Sequence, residues 1–75
     1  MYTPINRHKL SAEGKKVFDM TERYIKECLK INATTRYITV SPNQYALLLD
    51  GLNPTYVKYE KDGIPFGDFI IVRAK

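Results

Sequence analysis

The stretch RYITVSPNQYALLLDGL, residues 36–52, decides the fold, because it joins a strand to a helix that has boundary signals at both ends. β-Branched and aromatic side chains dominate its first part, which predicts a strand over residues 36–40. Successive residues of a strand point to opposite faces of the sheet. We therefore expect Ile38 and Val40 in the core and Tyr37 on the outer face.

The second part of this stretch is a short helix. Ser41 is the expected N-cap, and Gln44 at the third helical position completes a capping box. Gly51 is expected to follow the last turn in a left-handed conformation, as glycine often does after a helix. The helix is predicted to run from Pro42 to about Asp50. Its inner side is predicted to consist of Tyr45, Leu48, Leu49 and Leu52.

A longer helix precedes this stretch and is predicted from Ala12 to about Ile31. Its apolar and charged residues separate onto two sides at 3.6-residue spacing. Two pairs of opposite charge at i,i+4 spacing are expected to neutralise each other along the charged side. These pairs are Asp19–Arg23 and Glu22–Lys26. The expected inner side consists of Val17, Phe18, Thr21, Tyr24, Ile25, Cys28, Leu29 and Ile31.

Two more strands follow the short helix, over residues 56–61 and 68–73. The turn signal Asp62-Gly63 is expected to form the tip of a hairpin between them. The last strand is the most apolar and is expected in the middle of the sheet or buried on both faces. Residues 38–59 would form a β-α-β unit. The predicted fold class is α+β in the order α-β-α-β-β, with a three-stranded sheet covered on one face by the long N-terminal helix and the short crossover helix.

A chain of 75 residues is expected to form one small domain. We predict this domain over residues 11–75, after a flexible arm over residues 1–10 in which Pro4 disfavours helix. One cysteine allows no intrachain disulfide, and the first residues contain no apolar run typical of a signal peptide. The expected location is therefore the cytoplasm, and dimerisation is one expected remedy for so small a core.

The side chains that most enzymes use are scarce in this sequence. It contains one histidine, His8, and one cysteine, Cys28. Acid–base, nucleophilic and metal chemistry needs clusters of such groups. Cys28 is expected to be a small buried residue, and His8 to be solvated. The sequence predicts no enzyme, no cofactor and no metal site.

Tyrosine is the enriched residue type, with six in the chain. Tyrosine and arginine are frequent at the energetic centres of protein interfaces. Leu47 points roughly 200° away from Tyr45 at about 100° per residue, so we expect it to face outward as an interface anchor. The predicted partner-binding residues are Leu47, Tyr37, Tyr56, Lys58 and Arg73.

These features predict a small non-enzymatic module that binds another protein, as a stoichiometric modulator or as a small subunit of an assembly. Phage and mobile-element accessory proteins often have this size and class, and self-association is compatible with the prediction. The net charge of +4 keeps an alternative open, a nucleic-acid-binding protein that uses a basic arm and a sheet face bearing tyrosine and lysine. The arm residues of that alternative are Arg7, Lys9, Lys15 and Lys16.

Overall fold

The fold is that of a small α+β domain, seen in a computed structural model that describes residues 3–32, 34, 36–52 and 63–75. The predicted order of elements, α-β-α-β-β, is confirmed. A short 3₁₀ turn over Arg7–Lys9 precedes the helices and strands. These are α1 (Ala12–Lys30), β1 (Tyr37–Val40), α2 (Pro42–Leu49), β2 (Ile64–Phe66) and β3 (Phe69–Arg73).

The predicted helix starts are confirmed in detail. Ser11 caps α1, because its hydroxyl oxygen accepts a hydrogen bond from the Gly14 N–H at 3.1 Å. Ser41 and Gln44 form the predicted capping box of α2. The Gln44 N–H donates to Ser41 Oγ at 3.1 Å, and the Ser41 N–H donates to Gln44 Oε1 at 3.0 Å. These local bonds satisfy backbone donors that a helix leaves open at its start.

The described strands form a mixed three-stranded sheet in the order β1-β3-β2. The last strand is central, as predicted, with β1 parallel to it and β2 antiparallel to it. The predicted strand over residues 56–61 and the β-α-β unit that depends on it lie outside the described residues.

The hairpin between β2 and β3 turns at Gly67-Asp68. Phe66 and Phe69 face each other across this two-residue connection, and Gly67 has a φ of +63°. A glycine with positive φ at the first central position suits a II′ turn, whose twist matches the flanking strands. Gly63 precedes β2, where it is buried with a φ of +90°. The predicted turn at Asp62-Gly63 stays a prediction, because Asp62 and the strand expected before it lie outside the described residues.

The core lies between the sheet and the two helices. Phe66 is fully buried, and its ring centre lies 4.9 Å from that of Phe18 on α1, at an interplanar angle of 57°. Ile38 and Val40 are buried, whereas Tyr37 and Thr39 are exposed, which confirms the predicted alternation along β1. Tilted aromatic pairs add to the stability that burial alone provides, so the Phe18–Phe66 contact joins α1 to the sheet.

Residues 3–10, which the sequence predicts as an arm, pack on the rest of the chain. Ile5 and Leu10 are only 5% exposed and belong to the core. The Asn6 N–H donates to the Gly51 carbonyl at 2.8 Å, and the Thr3 hydroxyl donates to the Pro65 carbonyl at 2.8 Å. The division of the chain at residue 10 stays a prediction, but Ile5 and Leu10 share one core with the helices and the sheet.

Gly51 is not in the left-handed conformation that the sequence predicts, because its φ is not positive. Its role is close packing. A Cβ at this position would lie 2.7 Å from Leu10 Cδ2 and 3.0 Å from Ile5 Cγ2 and from the Asn6 carbonyl oxygen. The absence of a side chain therefore lets the N-terminal segment lie directly against the end of α2.

An ion pair ties the 3₁₀ turn to α1. The Arg7 guanidinium donates from Nε to Asp19 Oδ1 and from one terminal nitrogen to Asp19 Oδ2, both at 2.9 Å. It is the single ion pair between described residues, so the predicted pairs Asp19–Arg23 and Glu22–Lys26 are not formed. Asp19 is instead held by a residue outside its own helix, in the two-bond geometry that suits a guanidinium and a carboxylate.

The Arg7–Asp19 pair predicts an acid-dependent contribution to stability. Hydrogen bonds from Arg7 lower the pKa of Asp19 below its ordinary 3.8. A carboxylate with a lowered pKa stabilises the folded state above its ordinary pKa, and this contribution is lost as the pH falls through the folded-state value. We expect D19N to be slightly less stable than the parent chain in urea unfolding at pH 7, with the difference vanishing in acid. A difference that stays constant with pH would contradict this role. Because the pair is exposed, the effect is small.

Candidate protein-binding groove

An open groove lies between α1 and β1 and is called here the α1–β1 groove. It has a volume of about 620 Å³. Thr21 lies at its buried side, where its hydroxyl donates to the Val17 carbonyl at 2.9 Å. The lining residues are Met20, Thr21, Arg23, Tyr24 and Glu27 from α1, Tyr37, Ile38, Thr39 and Val40 from β1, and Gln44 from α2.

Three large apolar side chains around this groove are exposed. Met20 is 54% exposed, Tyr24 is 50% exposed and Tyr37 is 61% exposed. Single exposed apolar residues are common on proteins, but a cluster around one concavity is a feature of binding surfaces. Methionine adapts its shape to a partner, and tyrosine offers a large ring with a polar end. The α1–β1 groove therefore has the composition of a site for apolar side chains of another molecule.

Tyr24 lies one turn before Cys28 on α1. The neighbouring Cys28 side chain raises the pKa of the Tyr24 hydroxyl, chiefly as a hydrogen-bonding group. The hydroxyl therefore stays protonated at neutral pH, and Tyr24 is a contact group rather than a base. Cys28 itself is buried at 6% exposure, in agreement with its predicted role as a small core residue.

Opposite charges lie beside the apolar side chains of the groove. Arg23 and Glu27 are both exposed, and both line it from the α1 side. Arg23 was expected to pair with Asp19, but Arg7 takes that carboxylate. Arg23 therefore forms no ion pair with any described residue and is available to a molecule in the groove.

Leu47, the predicted interface anchor, is not on an open face of α2. It is half-buried and packs against the core. Its carbonyl oxygen lies 3.3 Å from the position that a Cβ on Gly14 would occupy, so α1 crosses α2 at this point. The helical angle correctly separates Leu47 from Tyr45, but the space on that side of α2 is partly filled by α1.

The other predicted binding residues are spread over the molecule. Tyr37 is in the groove, and Arg73 is exposed at the end of β3, where it pairs in register with Val40. Tyr56 and Lys58 lie outside the described residues. Of the residues named for nucleic acid, Arg7 is engaged by Asp19, Lys9 and Lys16 are exposed, and Lys15 is half-buried. Thus, among the predicted binding residues that the structure describes, Tyr37 alone lies in the α1–β1 groove.

The sequence analysis missed Met20 and misplaced Tyr24. It assigned Tyr24, Leu29 and Ile31 to the inner side of the long helix, but these residues are 50%, 58% and 73% exposed. The apolar stripe of α1 is wider than the surface that the sheet and α2 cover. Met20 and Tyr24 lie on the margin of that stripe nearest β1, and the excess width of the stripe was the signal that could have identified them.

The described ranges contain neither a cluster of metal-binding side chains nor a helix suited to crossing a membrane. No group of three or more histidine, cysteine, aspartate or glutamate side chains among these residues is arranged to hold a metal ion. No helix there combines the length and apolar character that crossing a membrane requires.

Comparisons of the chain with protein-family models, with curated proteins and with solved structures found no match. No relative's activity is therefore carried over to this chain, and the α1–β1 groove has to be judged by its own residues.

Proposed function

We propose that this protein is a non-enzymatic module that binds another protein through the α1–β1 groove. The observation that carries the proposal is the clustering of Met20, Tyr24 and Tyr37 around one groove, each at least half exposed. Aromatic residues, methionine and arginine are enriched at protein interfaces relative to the rest of the surface. The groove offers three of these residue types side by side.

The dimensions of the groove favour a protein partner over a small molecule. Its volume of about 620 Å³ is in the range of ligand pockets, but it is open and does not enclose its contents. Small ligands are usually held by burial of most of their surface, whereas an open apolar groove suits the side chains of a protein segment. The proposed role is that of a stoichiometric modulator or a small subunit of an assembly, acting in the cytoplasm.

The test compares proteins captured from host cells by three forms of the chain. M20S/Y24S removes two apolar contacts from the groove, and L29S removes an equally exposed apolar residue from the opposite margin of α1. Loss of interface anchors of this kind costs about 1–3 kcal/mol, or roughly a tenfold to hundredfold loss of affinity. We expect a partner that the parent chain and L29S capture in equal amounts and that M20S/Y24S loses. Equal capture by all three forms would contradict the proposal.

Circular dichroism serves as the folding control for this comparison. Because Met20 and Tyr24 are exposed, the free energy of unfolding of M20S/Y24S should lie within about 1 kcal/mol of that of the parent chain. Light scattering of the same samples identifies self-association, since a second copy is one of the proteins that the groove would accept. A dimer in the parent chain that dissociates in M20S/Y24S would make the partner a copy of this chain.

A further inference from the structure

We propose that the segment seated in the α1–β1 groove is acidic, a peptide segment that presents large apolar side chains together with carboxylates. This inference rests on the proposed function, that the groove binds protein. It adds the charge of the partner, which follows from the outer face of α1 and not from the groove itself.

The outer face of α1 carries a basic stripe. Its members lie within a sector of about 80° at 100° per residue, over four turns of the helix. They are all exposed. The basic stripe consists of Lys16, Arg23, Lys26 and Lys30.

Asp19 lies in the same sector, and Arg7 balances its charge. The two hydrogen bonds of 2.9 Å between them form a compact neutral pair on the helix surface. No other ion pair joins described residues, so no cation of the basic stripe is paired with one of them. The charge of Arg7 thereby offsets that of Asp19 and leaves this sector with a net positive charge, which attracts carboxylates.

The basic stripe and the groove share a border. Arg23 belongs to both, and Met20 lies only about 60° from it around the helix axis. A segment whose apolar side chains contact Met20 and Tyr24 therefore brings its next polar residues over Arg23 and its neighbours on the stripe. Carboxylates at those positions would gain charge-assisted contacts without leaving the groove.

The margins of the stripe favour a peptide over nucleic acid. Glu22 and Glu27 flank the basic stripe on its two sides, and Glu27 also lines the groove. A continuous phosphate backbone would have to pass close to one of these carboxylates, whereas a peptide places its acids at separate positions. Arg7, one of the residues predicted to contact nucleic acid, is paired with Asp19.

The experiment is a selection of random peptides, each of about 12 residues, displayed on phage against the immobilised full chain. We expect the enriched peptides to combine at least two large apolar residues with a net negative charge. R23E/K30E should lower the affinity of the chain for a selected peptide by about tenfold or more. A selection repeated on this variant should enrich basic peptides. The control K9E/K75E changes the net charge equally at exposed positions outside the groove lining, and should leave affinity within about twofold.

The outcomes separate this inference from the proposed function. Enriched peptides that need Met20 and Tyr24 but are neutral or basic would overturn the acidic partner and leave the groove as a protein site. Enrichment that is unaffected by M20S/Y24S, or no enrichment, would overturn both. Binding of a labelled DNA or RNA oligonucleotide that is lost in R23E/K30E and that displaces the peptide would replace the acidic segment by nucleic acid.

Discussion

Phe66→Ala is expected to remove most of the stability of the domain at room temperature. Phe66 has no exposed surface, and its ring packs on Phe18 at 4.9 Å between centroids. Truncation of a buried phenylalanine to alanine costs about 3–5 kcal/mol, through lost burial and the cavity that remains. A domain of this size has a stability of about 5 kcal/mol or less, so the loss consumes most of it.

Urea unfolding followed by circular dichroism measures this effect. F66L keeps part of the apolar volume and should remain folded with an intermediate loss, which keeps the prediction testable if F66A does not fold at all. The control is Ile31→Ala, at a residue that is 73% exposed. We expect this substitution to change the free energy of unfolding by no more than about 0.5 kcal/mol. A midpoint for F66A equal to that of I31A would contradict the placement of Phe66 at the centre of the core.

Gly63→Ala is expected to lower the free energy of unfolding by about 2–4 kcal/mol, the second large effect. Gly63 has a φ of +90°, which an alanine rarely adopts, and this strain alone costs about 1–3 kcal/mol. A Cβ would also lie 2.6 Å from Ile70 Cγ2 and 2.9 Å from the Ile71 carbonyl oxygen. Ile70 can shift its side chain, but the Ile71 carbonyl belongs to the central strand, so the overlap adds to the strain.

Gly67→Ala is the matched control for Gly63→Ala. Gly67 also has a positive φ, +63°, but lies half-buried in the hairpin turn. Backbone strain should lower the free energy of unfolding of G67A by about 1 kcal/mol, which is clearly less than the loss in G63A in the same urea titration. Equal losses in the two variants would show that the backbone before β2 does not lie as close to β3 as the distances indicate.

Local signals in the sequence were reliable guides to local structure. The capping box of Ser41 and Gln44 and the N-cap Ser11 involve residues three positions apart, so the chain carries the full information for each. The same holds for the alternation of Ile38 and Val40 along β1. The fold class follows from these elements, because their order leaves few ways to cover one sheet with two helices.

Predictions that depended on distant partners were wrong for a common reason. Gly51 was expected in a left-handed conformation, but its φ is not positive, and its lack of a side chain serves close packing against Leu10 and Ile5. The helical wheel placed Leu47 outward, but α1 covers part of that side. A periodic pattern gives directions around one element's own axis and does not say where the neighbouring element lies.

Predicting the residues of the candidate site also required knowing where the neighbouring elements lie. Tyr37 was identified from the sequence, because strand alternation alone makes it face outward. Tyr24 was assigned to the core, because its spacing matches the buried stripe of α1 and only the position of β1 shows that the margin is uncovered. The Arg7–Asp19 pair joins residues 12 positions apart and exists only because the N-terminal segment packs on the domain.

The most direct test of the central claim, that the α1–β1 groove holds a partner protein, is photo-crosslinking in host cells from single positions on α1. A benzophenone amino acid replaces Tyr24 in one form of the chain and Leu29 in the other, both at exposed positions on opposite margins of the helix. If the groove binds a partner protein, position 24 gives a discrete adduct of one partner mass and position 29 gives none. The same adduct in equal yield from both positions, or from position 29 alone, would contradict this claim.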